Sequence, residues 1–131
     1  MKVKTPRRDP HRSATTDSLR SEELQAFKAT FFKALANALR IRILELLVRE
    51  PRTVQELQAA LGVDQPVVSQ QLAVLRAHRI VVGTKTGASV RYAVRDSLIG
   101  DLLDVARRIF NNHLVGTQDL LRTLTREQRG R

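Results

Sequence analysis

Cysteine and tryptophan are both absent from this chain of 131 residues, and aromatic side chains are confined to Phe27, Phe31, Phe32, Phe110 and Tyr92. Without a thiol there is no disulfide, no thiolate metal site and no thiol redox switch, which excludes a disulfide-stapled secreted scaffold and a cysteine-based sensor. Redox chemistry therefore leaves the compartment open. Long apolar runs are missing as well: the stretch from Ile43 to Val48 is interrupted by Glu45, and no apolar segment follows the N-terminal positive charges. Neither a membrane span nor a secretory signal is expected, and the reading is a cytoplasmic protein without a membrane partner. Apolar residues still make up 42% of the chain, enough for a core that Leu, Ile, Val and Ala must pack.

Acidic residues are the scarce charge. There are 13 Asp and Glu against 23 Lys and Arg, a formal net charge of +10. The excess is sorted along the chain. Residues 1–16 hold Lys2, Lys4, Arg7, Arg8 and Arg12 against Asp9, and residues 122–131 hold Arg122, Arg126, Arg129 and Arg131 against Glu127. Such ends read as solvated basic tails. Between them, the segment from Gln65 to Arg95 carries Arg76, Arg79, Lys85, Arg91 and Arg95 and no acid at all. Charge sorted inside a folded domain makes a surface suited to a polyanion.

The length fits one compact domain with tails: residues 1–16 as a disordered basic tail, 17–125 as the domain and 126–131 as a basic C-terminal tail. Leu19, Phe27, Phe31, Leu35 and Leu39 fall near helical spacing, which predicts a first helix over 18–35. Ile41, Leu44, Leu47 and Val48 mark a second over 38–49, stopped by Pro51. Thr53-Val54-Gln55-Glu56 has the spacing of a capping box and opens a short helix to Leu61. Gly62 suits a left-handed helix end, Asp64 an N-cap, and Pro66 a first turn, so a fourth helix is predicted over 65–79. Val68, Leu72, Leu75 and Arg79 define its inward face, which leaves a small, uncharged outward face with Pro66, Val67, Ser69, Gln70, Ala73, Val74 and Ala77. Ile80–Val82 and Val90–Val94 read as strands joined by a turn over 83–89, and Asp96 or Ser97 caps a last helix running to about 125, with Gly116 as a soft spot. That helix is too long to be buried against so small a body, so its apolar stripe needs a partner.

Two helices joined by a tight turn at Gly62–Asp64 and followed by a hairpin match a helix-turn-helix with a wing. The segments FKALANALRIRILELL (32–47), LGVDQPVVSQQLAVLR (61–76) and GASVRY (87–92) carry the comparison further, because together they closely resemble the ArsR/SmtB family of bacterial winged-helix repressors over about residues 25–110. Gln71 stands where that family usually has histidine, and Asn37 where it usually has aspartate. The resemblance implies a mainly α fold, a winged helix-turn-helix of five helices plus a two-stranded β-hairpin wing. It further implies a homodimer bound to near-palindromic double-stranded operator DNA and released by an effector, often a metal ion.

The residues support DNA binding on their own terms. A basic module gains affinity for a duplex by counterion release, and base edges in the major groove need short polar groups near the start of a helix. Gln65, Ser69 and Gln70 are the natural readers, with Val67 and Gln71 on the same helix, although solvated polar residues are the plain alternative for each. Lys85 and Arg91 on the wing would meet phosphates or the minor groove, or are ordinary strand-edge charges. Thr53 and Gln55 are candidates for phosphate contact, and capping alone explains Thr53 equally well. Phe27, Leu98, Leu102, Val105 and Ile109 are candidates for the dimer interface or the core.

A metal site is poorly supplied. Asp101, Asp104 and His113 on the last helix could hold nickel, cobalt or zinc weakly across a dimer, short of a tetrahedral zinc set. Asp9 and His11 form a further conceivable pair, and His78 reads as a phosphate or helix-dipole partner. An enzyme is not expected, since the three histidines are scattered and neither a Gly-rich phosphate loop nor G-x-S-x-G occurs. The principal reading is a sequence-specific, dimeric DNA-binding repressor. The alternative is an architectural or non-specific nucleic-acid-binding winged-helix module.

Overall fold

The structure is a computed structural model that describes Lys4 and the backbone of residues 10–130, with side chains described for Lys4 and residues 17–130. The chain divides into two units, Met1–Ala38 and Leu39–Arg131. In the first, helix α1 spans Pro10–Leu35. It starts eight residues before the predicted position, inside the segment read as a disordered tail. No Gly or Pro interrupts 11–35, and Pro10 occupies a first turn where its missing N–H costs nothing. Residues 10–17 lack apolar periodicity, so nothing in the pattern marks the start of the helix there. The rest of the predicted tail, Lys4 apart, lies outside the described residues. Phe31 and Phe32 meet edge to face with centroids 5.6 Å apart, and Ala34 and Leu35 are buried, while Leu19, Leu24 and Phe27 are exposed.

The second unit follows the predicted order closely, with helix α2 at Ala38–Arg49, strand β1 at Arg52–Thr53, helix α3 at Val54–Leu61 and helix α4 at Gln65–Ala77. Strands β2 (Val81–Thr86) and β3 (Ser89–Val94) and helix α5 (Leu98–Arg129) complete it. The core is aliphatic: Ile43, Leu44 and Leu47 of α2, Leu57 and Leu61 of α3, Val68, Leu72 and Leu75 of α4, then Ile80, Val81 and Ile99. Each such side chain contributes roughly 1.5–3 kcal/mol by leaving water.

Several local features account for the helix ends. The Thr53 hydroxyl accepts from the Glu56 N–H at 3.2 Å, and Gly62 takes φ +67° while its N–H bonds the Gln58 carbonyl at 2.9 Å. Asp64 occupies the N-cap position of α4 without a side-chain cap bond. Helix α4 ends at Ala77, before the predicted 79, and Arg79 does not belong to the inward face. It adopts φ +56° and is exposed. The Ile80 N–H reaches the Leu75 carbonyl at 2.9 Å and the Arg79 N–H the Arg76 carbonyl at 3.0 Å, the paired bonds of a Schellman motif with arginine in the left-handed position. Burial of Ile80 beside Leu75 holds that turn. At α5, the Asp96 carboxylate accepts from the Leu98 N–H at 2.9 Å, whereas Ser97 makes no side-chain cap.

Three strands form the sheet, not two, in the order β1-β3-β2, all antiparallel. The two residues of β1 follow Pro51 and have no alternation to betray them; they exist because β3 offers an edge, with Arg52 opposite Tyr92 and Thr53 opposite Arg91. The hairpin strands also run further than predicted, with Thr86 opposite Ser89, so the wing tip is a two-residue turn, Gly87-Ala88. Gly87 has φ +62° and Ala88 is not left-handed, the pattern of a type II′ turn. Helix α5 has 32 residues, about 48 Å at 1.5 Å per residue, and is helical through Arg129, so most of the predicted C-terminal tail is helix. Arg126 and Arg129 suit its negative end. Its first turn lies close to α2, since a Cβ on Gly100 would meet Val48 Cγ1 at 2.9 Å.

Opposite Tyr92, Gly83 leaves room for the aromatic ring: a Cβ there would lie 3.0 Å from Val90 Cγ1 and 3.1 Å from Tyr92 Cε1. Gly83→Val should therefore force both side chains aside and cost about 1–3 kcal/mol. A lowered denaturant midpoint is the expected reading, and an unchanged midpoint would show that the hairpin has space to spare.

Candidate nucleic-acid interface

Helix α4 has two unlike sides. Val68, Leu72 and Leu75, spaced four and three residues apart, face the core and are at most 1% exposed. The opposite side presents Gln65, Pro66, Val67, Ser69, Gln70 and Ala73, all exposed and none charged. No ionised side chain lies between Asp64 and Arg76. A surface of amides, a hydroxyl and small apolar groups offers hydrogen-bond donors and acceptors without the desolvation cost of a charge, as base edges require.

Basic groups follow this face in the same acid-free stretch of chain. The acid-free segment 65–95 comprises α4, its closing turn and the whole β2–β3 wing, with Arg76, His78, Arg79, Lys85 and Arg95 exposed. The wing's two expected contacts part company. In the antiparallel register Lys85 is opposite Val90 and Arg91 is opposite Thr84, so strand alternation puts Lys85 and Arg91 on opposite faces of the sheet. Lys85 stands near the tip, two residues from Gly87. Arg91 is engaged below it: Nη1 donates to the Pro51 carbonyl at 3.1 Å and Nη2 lies 3.4 Å from Glu56 Oε1. The Glu56 carboxylate thus faces the wing and not the Thr53 backbone, so only half of the predicted capping box forms.

Two other expected site residues, Thr53 and Gln71, have partners within the chain. Thr53 is 9% exposed and its hydroxyl accepts the capping bond from the Glu56 N–H, while Gln55 and Glu56, in the first turn of α3, are exposed. Gln71 is half-buried, and its Oε1 accepts from Arg40 Nη1 at 2.8 Å. Arg40 itself was not among the predicted site residues. It sits 31 residues away in sequence, and no spacing rule connects the two. His78 stands at the C-cap of α4 and is exposed.

Phe27 is 73% exposed, Leu98 63%, Val105 50% and Ile109 60%, so these side chains are not core, and Leu102 is half-buried. Further along α5, Phe110, Leu114, Leu120, Leu121 and Leu124 are exposed too. On the same helix, Asp101 and His113 are twelve residues apart, about 18 Å along the axis, and Asp104 and His113 nine, about 14 Å. One chain cannot bring either pair to a shared ion. Asp104 is also bonded to Arg108 at 2.8 Å, and among the described residues no group of three or more His, Asp or Glu could hold a metal. These residues do not fit a resident metal within the chain. The pair Asp9 and His11 lies outside the described side chains. Among the described residues no helix is long and apolar enough to cross a membrane.

Comparison with known proteins agrees with this arrangement. A profile of the family described as "Bacterial regulatory protein, arsR family" matches residues 37–82, from the start of α2 into β2. The uncharacterised HTH-type transcriptional regulator Rv0081 of Mycobacterium tuberculosis is 44% identical over 92 residues, which cover 70% of this chain and 81% of that protein. The crystal structure of Rv0081 superposes with a TM-score of 0.67 at 41% identity, over 72% of this chain and 95% of the other. The transcriptional repressor BigR of Xylella fastidiosa gives a TM-score of 0.60 at 28% identity, over 74% and 95%. With its winged helix-turn-helix, this chain belongs to the arsR family of bacterial transcriptional regulators.

Proposed function

We propose that the protein is a dimeric repressor that reads an inverted-repeat operator with α4 and grips the flanking backbone with the wing. The observation that carries this reading is the exposed, uncharged side of α4 set within a segment of 31 residues free of acid. Gln65, Ser69 and Gln70 face base edges in the major groove, with Val67 suited to a thymine methyl. Lys85 at the wing tip, and Gln55 at the start of α3, meet phosphates. Arg91 acts from below, fixing the wing to α3. An operator reader of this kind has a large ratio of specific to random-sequence affinity, whereas a non-specific architectural module has a small one.

Exposed apolar side chains on α1 and on α5 support a second copy as the partner of each helix. A two-fold pair sets two α4 helices about one DNA turn apart, so the half-sites should be spaced by roughly 10 bp or a multiple. Release by an effector requires different affinities for the bound and unbound geometries. With no thiol and a single histidine on α5, soft metals lack their preferred ligands here, and titration of the protein with zinc or nickel should show no tight stoichiometric binding that His113→Ala abolishes.

Operator selection on the purified protein, followed by salt-dependent binding, tests the DNA reading. Gln70→Ala should reduce discrimination at one or two base positions by about 1–3 kcal/mol. Lys85→Ala should weaken all sequences alike and flatten the salt slope by about one per subunit. Arg91→Ala should leave that slope nearly unchanged while loosening the wing, through a half-exposed ion pair worth under about 1 kcal/mol. Full operator preference in the Gln70 variant would remove it from the readers.

For the dimer, light scattering at micromolar concentration should give twice the chain mass, and Ile109→Glu should shift it toward one. A wild-type monomer that binds a single half-site tightly would overturn the dimeric reading.

A further inference from the structure

The buried side of α4 holds the helix without fully orienting it. Val68, Leu72 and Leu75 pack through non-directional apolar contact, which resists separation far more than a small slide or rotation of the helix. A hydrogen bond is directional. From the first turn of α2, Arg40 donates through Nη1 to Oε1 of Gln71 in the second turn of α4, at 2.8 Å. Arginine has donors only, so the glutamine must present its carbonyl to it, which sets the orientation of the amide. The bond is part-buried and its donor is charged, the circumstances in which such a bond is strongest. Gln71 directly follows Ser69 and Gln70, which are exposed, so whatever fixes Gln71 also fixes where those two side chains stand.

We infer that Arg40 is a positioning residue for operator discrimination: through Gln71 it sets the rotation and height of α4 so that Ser69 and Gln70 meet base edges in register. The inference rests on the reading of α4 as the DNA-reading helix. It assigns Arg40 a role that its positive charge alone would not suggest, since a basic residue on a DNA-binding protein is ordinarily read as a phosphate contact.

The test uses the full-length protein and two probes, the duplex selected by the wild type and a random-sequence duplex, across a salt series. Arg40→Met and Gln71→Met should each lower the ratio of selected to random affinity by roughly tenfold. The double variant should lose no more than Arg40→Met alone, because that variant already removes the bond that Gln71→Met removes. Arg40→Lys, which still donates to the carbonyl, should recover part of the ratio, and the salt slope of all variants should stay that of the wild type. Melting temperatures identify the folded variants, and if Arg40→Met does not fold, Gln71→Met and Arg40→Lys provide the same comparison. Independent, multiplying losses in the double variant overturn the inference, as does an unchanged ratio in folded variants. A slope flattened by about one per arginine removed overturns it by making Arg40 a phosphate contact. A wild type with no preference for any duplex refutes the parent reading itself, at a stage where no variant has been measured.

Discussion

Burial of one face of α4 is the constraint on which the rest of the molecule depends. Because Val68, Leu72 and Leu75 all lie in the core, the other side of a 13-residue helix has no choice but to face outward. The residues there are amides, a hydroxyl and small apolar groups, with no charge among them. Everything around the helix then acts to hold that presentation: the turn before it, the turn after it, the strand it leads into and the bond from α2.

Both turns place a residue in the left-handed region. Before α4, Gly62 does so at no steric expense. After it, Arg79 does so against the preference of its Cβ, which costs roughly 1–2 kcal/mol. The compensation is local, since the same geometry closes two backbone bonds and carries Ile80 into the core next to Leu75. It also leaves a guanidinium exposed at the far end of α4, where a glycine would leave none.

The wing and α4 are held by long-range polar contacts of the same kind. Arg91 ties β3 to the start of α3, and Arg40 ties α4 to α2. In each case an arginine serves as a brace within the domain, half-buried at Arg40 and still exposed at Arg91. A net charge of +10 therefore includes cations already engaged within the domain. Helix α5 is the opposite case: only Ile99 of it is buried, and its long apolar stripe is surface in the single chain.

Much of this was legible in the sequence because it is governed by near neighbours. The capping hydroxyl of Thr53, the left-handed Gly62, the tolerated Pro66 and the period of Val68, Leu72 and Leu75 are all local facts of backbone geometry, and each was read correctly. So was the winged helix-turn-helix order that follows from them. The start of α1 and the end of α5 were misjudged because apolar periodicity gives out before helix propensity does. Strand β1, the left-handed Arg79 and the engagement of Arg91 and Gln71 were decided by tertiary structure alone. Two residues make a strand only when another strand offers its edge, an arginine enters the left-handed region only when a buried neighbour holds it there, and side chains 31 or 35 residues apart meet only after the chain has folded.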